Sequence, residues 1–263
     1  MRAIISIAST TVQEAIRRKV LLVILLVGLL ILFIAPGLGV LSARSETTVL
    51  KGMMLGIIQL TSAVIAIVLT VYMIPNEIER RTIYTILSKP VQRWQFLVGK
   101  YLGAVSALAL MMTLMSLVLV LLFFFQQGVH DIAALSELLK GPLMYFVQMC
   151  LLAAVAIFFS TFVSPLVNFF LTGGMYLLGS LFNPFFKTMQ ENSGTPVIAK
   201  VFAQFVNVIL PNFANYNVQN PIINPDQQIQ NETSYYLLAT VYGVFYIGIL
   251  LVLGILVFDR REV

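Results

Sequence analysis

Six stretches of this chain, residues 20–41, 52–74, 101–125, 142–162, 166–182 and 236–258, contain no Asp, Glu, Lys or Arg. At ~1.5 Å per helical residue, a run of about 20 residues crosses the ~30 Å hydrocarbon layer of a bilayer. Inside that layer an unpaired backbone amide finds no water, so such a run must fold as helix or as part of a closed barrel. The length of the runs selects helix. The chain is therefore expected to be an all-α, polytopic membrane protein of six transmembrane helices, forming one domain over residues 1–263. A composition of 59% hydrophobic and 10% charged residues leaves no room for a large soluble domain.

The charges between the runs set a direction. With six spans, Arg2, Arg17, Arg18, Lys19, Arg80, Arg81, Lys89, Arg93, Lys100, Arg260 and Arg261 fall on one side and Arg44, Lys51, Lys140, Lys187 and Lys200 on the other. Eleven against five is the positive-inside asymmetry, so both termini are expected in the cytoplasm of a bacterial cell, with the chain in its cytoplasmic membrane. The net charge of +5 is thereby explained by topology, and no nucleic-acid partner is needed.

Residues 1–19 precede the first span. Ile4, Ile5, Ala8, Val12, Ala15 and Ile16 share one helical face, opposite Ser6, Ser9, Gln13 and Arg17, which predicts an interfacial helix. The following apolar run is about twice the length of a signal-peptide core, and no convincing cleavage site follows it. Pro36-Gly37 predicts a kink or early unwinding near the outer end of the first span. Residues 42–51 and 126–140 are expected as outer loops, Pro142 as the start of the fourth span, and Val163-Ser164-Pro165 as a tight turn. In the second span Gly52 and Gly56 form a small-xxx-small pair, and Gln59, Thr61, Ser62 and Thr70 give it a polar side. Singly, such hydroxyls bond their own helix. With Gln59 they form candidates for an interface or a pathway, together with Gly52 and Gly56. The fifth run is the shortest and holds Asn168, Thr172 and Gly173-Gly174, so it is expected to be tilted, broken or packed inside the bundle.

Residues 183–235 form the longest polar section, interrupted at 196–210. There Thr195 and Pro196 mark a helix start, and Val197, Val201, Phe202, Phe205, Val208 and Ile209 line one face. The segment is too short to cross the membrane and predicts an outer amphipathic helix, with Phe202 and Phe205 as interface candidates. A seventh crossing would put Arg260 and Arg261 outside, against the charge rule. Residues 211–231 read as an irregular loop rich in Asn, Gln and Pro; the Asn231-Glu232-Thr233 triplet matches a glycosylation acceptor of a kind that arises often by chance.

Between the second and third spans lies a charged island, residues 75–100. Ile83, Ile86 and Leu87 fall on one stripe, with Arg81, Thr85 and Ser88 opposite, and Pro90 ends the short helix this spacing predicts. The island carries Glu77 and Glu79, then Arg81-Thr82, Leu87-Ser88-Lys89-Pro90, Arg93 and Phe96-Leu97-x-Gly99-Lys100. In order and in place this resembles the coupling segment of ABC-2-type permeases, the transmembrane subunits of ABC exporters, and in particular the permeases of copper-enzyme maturation transporters. The resemblance implies a cytoplasmic coupling helix docking on a separate ATPase subunit through Glu77, Glu79, Arg81, Thr82, Ile83, Ile86 and Leu87. It also implies two permease copies, in the simplest case a homodimer, and an amphipathic helix before the first span that helps to cradle the ATPase.

The chemistry the chain lacks agrees with a machine driven from outside. There is no Gly-x-x-x-x-Gly-Lys-Ser/Thr phosphate loop, so ATP and Mg belong to the partner ATPase and no cofactor is expected on this chain. No HExxH, paired carboxylates or Ser-His-Asp set supports an enzyme. Cys150 reads as a structural thiol and His130 as a solvated loop residue, and Met111, Met112, Met115, Met144 and Met149 as packing in place of a soft-metal path. Two other classes compete. An ion-coupled secondary transporter needs ionisable groups in its spans, which these six runs lack; a scaffold for an outer partner would explain residues 183–235 but not the detail of the island. Lipid-linked glycan, peptide, drug or a maturation factor for an outer metalloenzyme all remain open as substrates.

Overall fold

The computed structural model describes residues 2–39, 46–79, 92–127, 132–191, 196–198, 200, 201, 204, 210–218 and 231–260. Among them there is no strand. The helices are α1 (Arg2–Arg17), α2 (Lys19–Gly39), α3 (Glu46–Val71), α4 (Pro75–Glu79), α5 (Arg93–Gln127), α6 (Ile132–Ser160), α7 (Pro165–Glu191) and α8 (Glu232–Asp259), with a 3₁₀ turn at Phe213–Tyr216. Among the described residues five segments are long and apolar enough to cross a membrane: Lys19–Gly37, Val49–Glu77, Arg93–Phe125, Ser136–Ser160 and Glu232–Asp259.

Two helices form the centre. In α3 and α6, 67% and 72% of the apolar window is covered, against 28% in α2 and 22% in α8, so the first pair is the core and the second faces outward. Lipid tails are as apolar as Leu, so contact between membrane helices comes from close packing, which favours small residues. Ala63 and Ala66 of α3 and Ala153, Ala154 and Ala156 of α6 are all buried. Helix α2 shows the peripheral pattern: Leu21, Leu25, Leu32 and Ala35 make one buried stripe, and Val20, Val23, Leu26, Val27, Leu30 and Phe33 point away from it. Gly28 lies on that stripe with the Thr61 side chain of α3 where a β-carbon would be.

Several boundaries differ from the sequence expectation, all in one direction. Helix α3 starts at Glu46, within the expected loop 42–51; α5 starts at Arg93 in place of residue 101; and α6 starts at Ile132, within the expected loop 126–140. Pro142 is consequently inside α6 and not at its start, and α2 continues through Pro36 to Gly39. The reason is that the charges read as helix ends have partners. The Lys51 ammonium lies 5.5 Å from the Phe123 ring centre on α5, and Lys140 bridges Glu137 at 2.5 Å and Glu232 of α8 at 2.6 Å. The turn at Thr161–Ser164 forms as its sequence predicts, with Pro165 opening α7, which runs to Glu191, well past residue 182.

Helix α1 packs along α5. Thr11 and Ala15 are buried, whereas Ile5 and Ile16 are 67% and 41% exposed. The α5 surface explains which residues are covered. A β-carbon at Gly99 would lie 2.9 Å from the Ile7 side chain, and one at Gly103 would lie 2.5 Å from Thr11 and 2.9 Å from the Ala8 carbonyl oxygen. The Gly99-xxx-Gly103 groove thus seats Ile7 and Thr11, leaving Ile5 and Ile16 directed outward.

Residues 211–218 do not run as a loop over the outside. Phe213, Tyr216 and Val218 are wholly buried. The Asn212 side chain accepts from the Ala214 N–H to open the 3₁₀ turn, and the Asn212 N–H donates to the Tyr242 hydroxyl of α8 at 3.1 Å. Tyr216 donates to the Ala239 carbonyl at 3.0 Å and Tyr235 to the Asn215 carbonyl at 2.7 Å. Gly179 of α7 and Gly243 of α8 make the space: β-carbons there would lie 2.6 Å from the Phe213 ring and 2.5 Å from the Tyr216 hydroxyl.

Candidate functional site: an ion-paired base under residues 80–91

Of the charged island the structure describes α4, before residues 80–91, and the start of α5, after them. Tyr72–Ile74 break α3, and Pro75 opens α4, where its missing N–H costs nothing. This short helix carries Glu77 back toward α5. There the Lys100 ammonium, 3% exposed, lies 2.6 Å from Glu77 Oε1 and 3.8 Å from Glu14 Oε2 of α1. Glu14 also accepts from Arg18 at 2.8 Å. A buried ammonium is tolerated only where carboxylates and hydrogen bonds replace its water, and Glu77 and Glu14 meet that need from two other elements.

A second contact closes the same end of the bundle. The Arg93 guanidinium donates to the carbonyls of Phe258 at 2.9 Å and Asp259 at 3.3 Å, at the end of α8, where a cation is favoured. It also lies 5.8 Å from the Phe258 ring centre, and that ring stacks on Phe96 at 6.1 Å. Lys100 is 5.8 Å from the other ring of the pair, Phe96. Arg93, Phe258, Phe96, Lys100, Glu77 and Glu14 therefore form one continuous run through α8, α5, α4 and α1. Both ends of the segment that enters at Glu79 and returns at Gln92 are fixed to this base.

Of the expected docking residues, Glu77 is here, engaged with Lys100, and Glu79 closes α4. Arg81, Thr82, Ile83, Ile86 and Leu87 lie outside the described residues, as do Phe202 and Phe205. The roles of Glu14 and Lys100 as partners were not apparent from local sequence, because the contact joins residues of three separate elements. The only local signal was an isolated Lys directly before an uncharged run.

The interface and pathway candidates on α3 divide. Gly52 and Gly56 lie half-buried on its N-terminal half, and Ser62, wholly buried, donates to the Ile58 and Gln59 carbonyls of its own helix. Gln59 donates to Gln148 Oε1 of α6 at 3.1 Å, and Gln148, itself wholly buried, donates to the Phe213 carbonyl at 3.0 Å. A polar thread thus runs from α3 through α6 to the inserted turn. Gln148 was missed in the sequence, although a lone amide in an uncharged run is the signal that marks it. In α7, Asn168 donates to the Ala156 carbonyl at 3.0 Å and accepts from Thr172 at 2.8 Å, which pairs these two side chains and ties the helix to α6.

Among the described residues no group of His, Cys, Asp or Glu has the makings of a metal site. Cys150 is buried, and its carbonyl accepts from Tyr101 at 3.2 Å. A family model described as ABC-2 family transporter protein matches residues 5–263. No curated protein matches the sequence.

Proposed function

The chain belongs to the ABC-2 family of transporter proteins, and from that premise we propose that it is the six-span permease subunit of an exporter driven by a separate ATPase. It is a multi-pass transmembrane permease of an ABC transporter. In the proposed reading α7 is the sixth span, residues 80–91 form the coupling helix in the cytoplasm beside both termini, and two copies pair with two ATPase subunits. ATP and Mg are bound by those subunits. The output is export of a substrate, or force delivered across the membrane.

The observation that carries this reading is the base under the coupling segment. A loop that only set orientation would need no buried cation; this one is held at Glu77 and Arg93 to α1, α5 and α8 through ion pairs of 2.6 Å and hydrogen bonds of 2.9 Å. A push on residues 80–91 would reach three helices through stiff contacts. The apolar stripe Ile83, Ile86 and Leu87 needs a cover, and a groove on the ATPase is the cover we assign.

Replacing Ile83 and Leu87 by Asp tests the assignment. Copurification of the ATPase subunit should be lost while the permease remains inserted, and a pair that stays together with full nucleotide-stimulated turnover would place docking elsewhere.

On the other side, residues 183–235 are proposed to cap the pathway. In the single chain Val197, Ile198 and Val201 are 76%, 85% and 61% exposed, so their cover is not this chain's own bundle and must be lipid or a second copy. A cap predicts that Phe202→Leu with Phe205→Leu keeps assembly but loses transport-coupled ATP hydrolysis. Full turnover of that variant would favour a simple lipid anchor.

A further inference from the structure

At the same end of the bundle as the ion-paired base, a pocket of about 520 Å³ opens between α2, α3 and α7, lined by Arg18, Lys19, Val20, Leu21, Val68, Tyr72 and Phe169. Its volume is in the range of small-molecule sites, ~300–1,000 Å³. The lining is graded. The cations Arg18 and Lys19 are at the link between α1 and α2, one step outside the apolar run, and Val20, Leu21, Val68 and Phe169 form the wall beyond them. Tyr72, 41% exposed, stands where α3 breaks, and tyrosine is a side chain enriched at membrane interfaces.

The charge count at this corner is uneven. Glu14 and Glu77 balance Arg18 and Lys100, to which they are joined at 2.8 and 2.6 Å. Arg17 and Lys19 are additional to that balanced set. Arg18 has five N–H donors, and Glu14 accepts through one nitrogen of the guanidinium. A cationic mouth above an apolar wall matches a molecule with an anionic head and a hydrocarbon tail.

We propose that this pocket seats one anionic phospholipid of the leaflet at the Arg17–Lys19 end, its phosphate at Lys19 and Arg18 and the start of an acyl chain against Val68 and Phe169. The lipid is a resident that fixes the α1–α2 link against α3 and α7, and is not the transported substrate. The assignment of that leaflet to the cytoplasmic side rests on the orientation proposed above; binding at the pocket does not. Juxtamembrane Lys and Arg attract anionic lipid by about a fivefold gain in binding for each charge.

The test is lipid retention. The permease is reconstituted with equal parts of phosphatidylglycerol and phosphatidylcholine, re-extracted in mild detergent, and weighed with bound lipid by native mass spectrometry. The wild type should keep phosphatidylglycerol in preference to phosphatidylcholine. Lys19→Gln should lower that preference about fivefold, and Val68→Trp, which leaves both cations in place and fills the pocket, should lower total retention. Lys51→Gln, at the opposite end, should change neither. Equal retention of the two lipids by the wild type would overturn the proposal, as would an unchanged preference in Lys19→Gln, full retention in Val68→Trp, or an effect of Lys51→Gln as large as that of Lys19→Gln. The assay involves no ATPase, so its result is independent of whether residues 80–91 dock one.

Discussion

Lys100→Met removes the one ammonium that ties Glu77 and Glu14 together, and the structure lets its cost be worked out. Lys100 is 3% exposed and its partner Glu77 has a side chain only 16% exposed, so the carboxylate that loses this ammonium cannot turn fully to water. Removing one member of a buried pair costs about 3–5 kcal/mol in general. Glu14 softens the loss, because it is 42% exposed and keeps Arg18 at 2.8 Å. The lower end of the range, about 3 kcal/mol, is the expected cost. Replacing both members is different, since two uncharged groups of similar size leave no buried charge, and such double changes are often close to neutral. Lys100→Met with Glu77→Gln should therefore be more stable than Lys100→Met alone, by about 2 kcal/mol. The assay is a double-mutant cycle on thermal unfolding of the purified permease in lipid nanodiscs, with far-UV circular dichroism as readout. Additivity of the two single changes to within about 0.5 kcal/mol would refute the claim that these groups act as a pair, and with it the ion-paired base that joins α1, α4 and α5.

Gly103→Leu should push α1 off α5, since even its β-carbon would lie 2.5 Å from Thr11; overpacking of this kind costs about 1–3 kcal/mol, and proteolysis within residues 2–17 should become faster. Gln148→Leu leaves the Phe213 carbonyl and the Gln59 amide without their partner, at a cost of about 1–3 kcal/mol, and amide exchange across Phe213–Tyr216 should rise while that of α1 stays unchanged. Lys140→Ala removes a partly exposed bridge between α6 and α8 and should lower stability by no more than about 1 kcal/mol, an effect that shrinks in high salt. Single cysteines at Asn192 and Gln227, in a Cys150→Ala background, should react with an impermeant thiol reagent from outside intact cells, and one at Arg81 should not; the reverse pattern would invert the proposed topology.

How far the sequence reaches into this structure is decided residue by residue. The uncharged runs locate every long helix, because in lipid the alternative to helix is an unsatisfied backbone. The turn before α7 is equally legible, since Pro165 at the first helical position, separated by only two residues from the end of the fourth uncharged run, leaves room for nothing longer. Helix ends are less legible. Lys51, Arg93, Lys100 and Lys140 look like stop signals, yet Arg93 opens a helix and the other three lie inside one, each received by a ring, a carbonyl or a carboxylate on another element. No local pattern announces such a partner: Lys100 and Glu77 are separated by 23 positions, Arg93 and Phe258 by 165. The same limit explains α1. Its apolar face was read from periodicity alone, whereas the face it buries is set by Gly99 and Gly103 on α5. The inserted turn at 213–216 was the least legible element, since Asn and Pro around Phe213 and Tyr216 resemble a surface loop until Gly179 and Gly243 are seen to make room for it.

The central claim is that residues 80–91 touch the ATPase, and site-specific photocrosslinking reads that contact without depending on activity. With p-benzoylphenylalanine at Ile83 or Leu87, irradiation of membranes containing both subunits should give an adduct of permease and ATPase, and the same probe at Asn192 should give none. An adduct from Asn192, or no adduct from either Ile83 or Leu87 while the two subunits still copurify, would contradict the account.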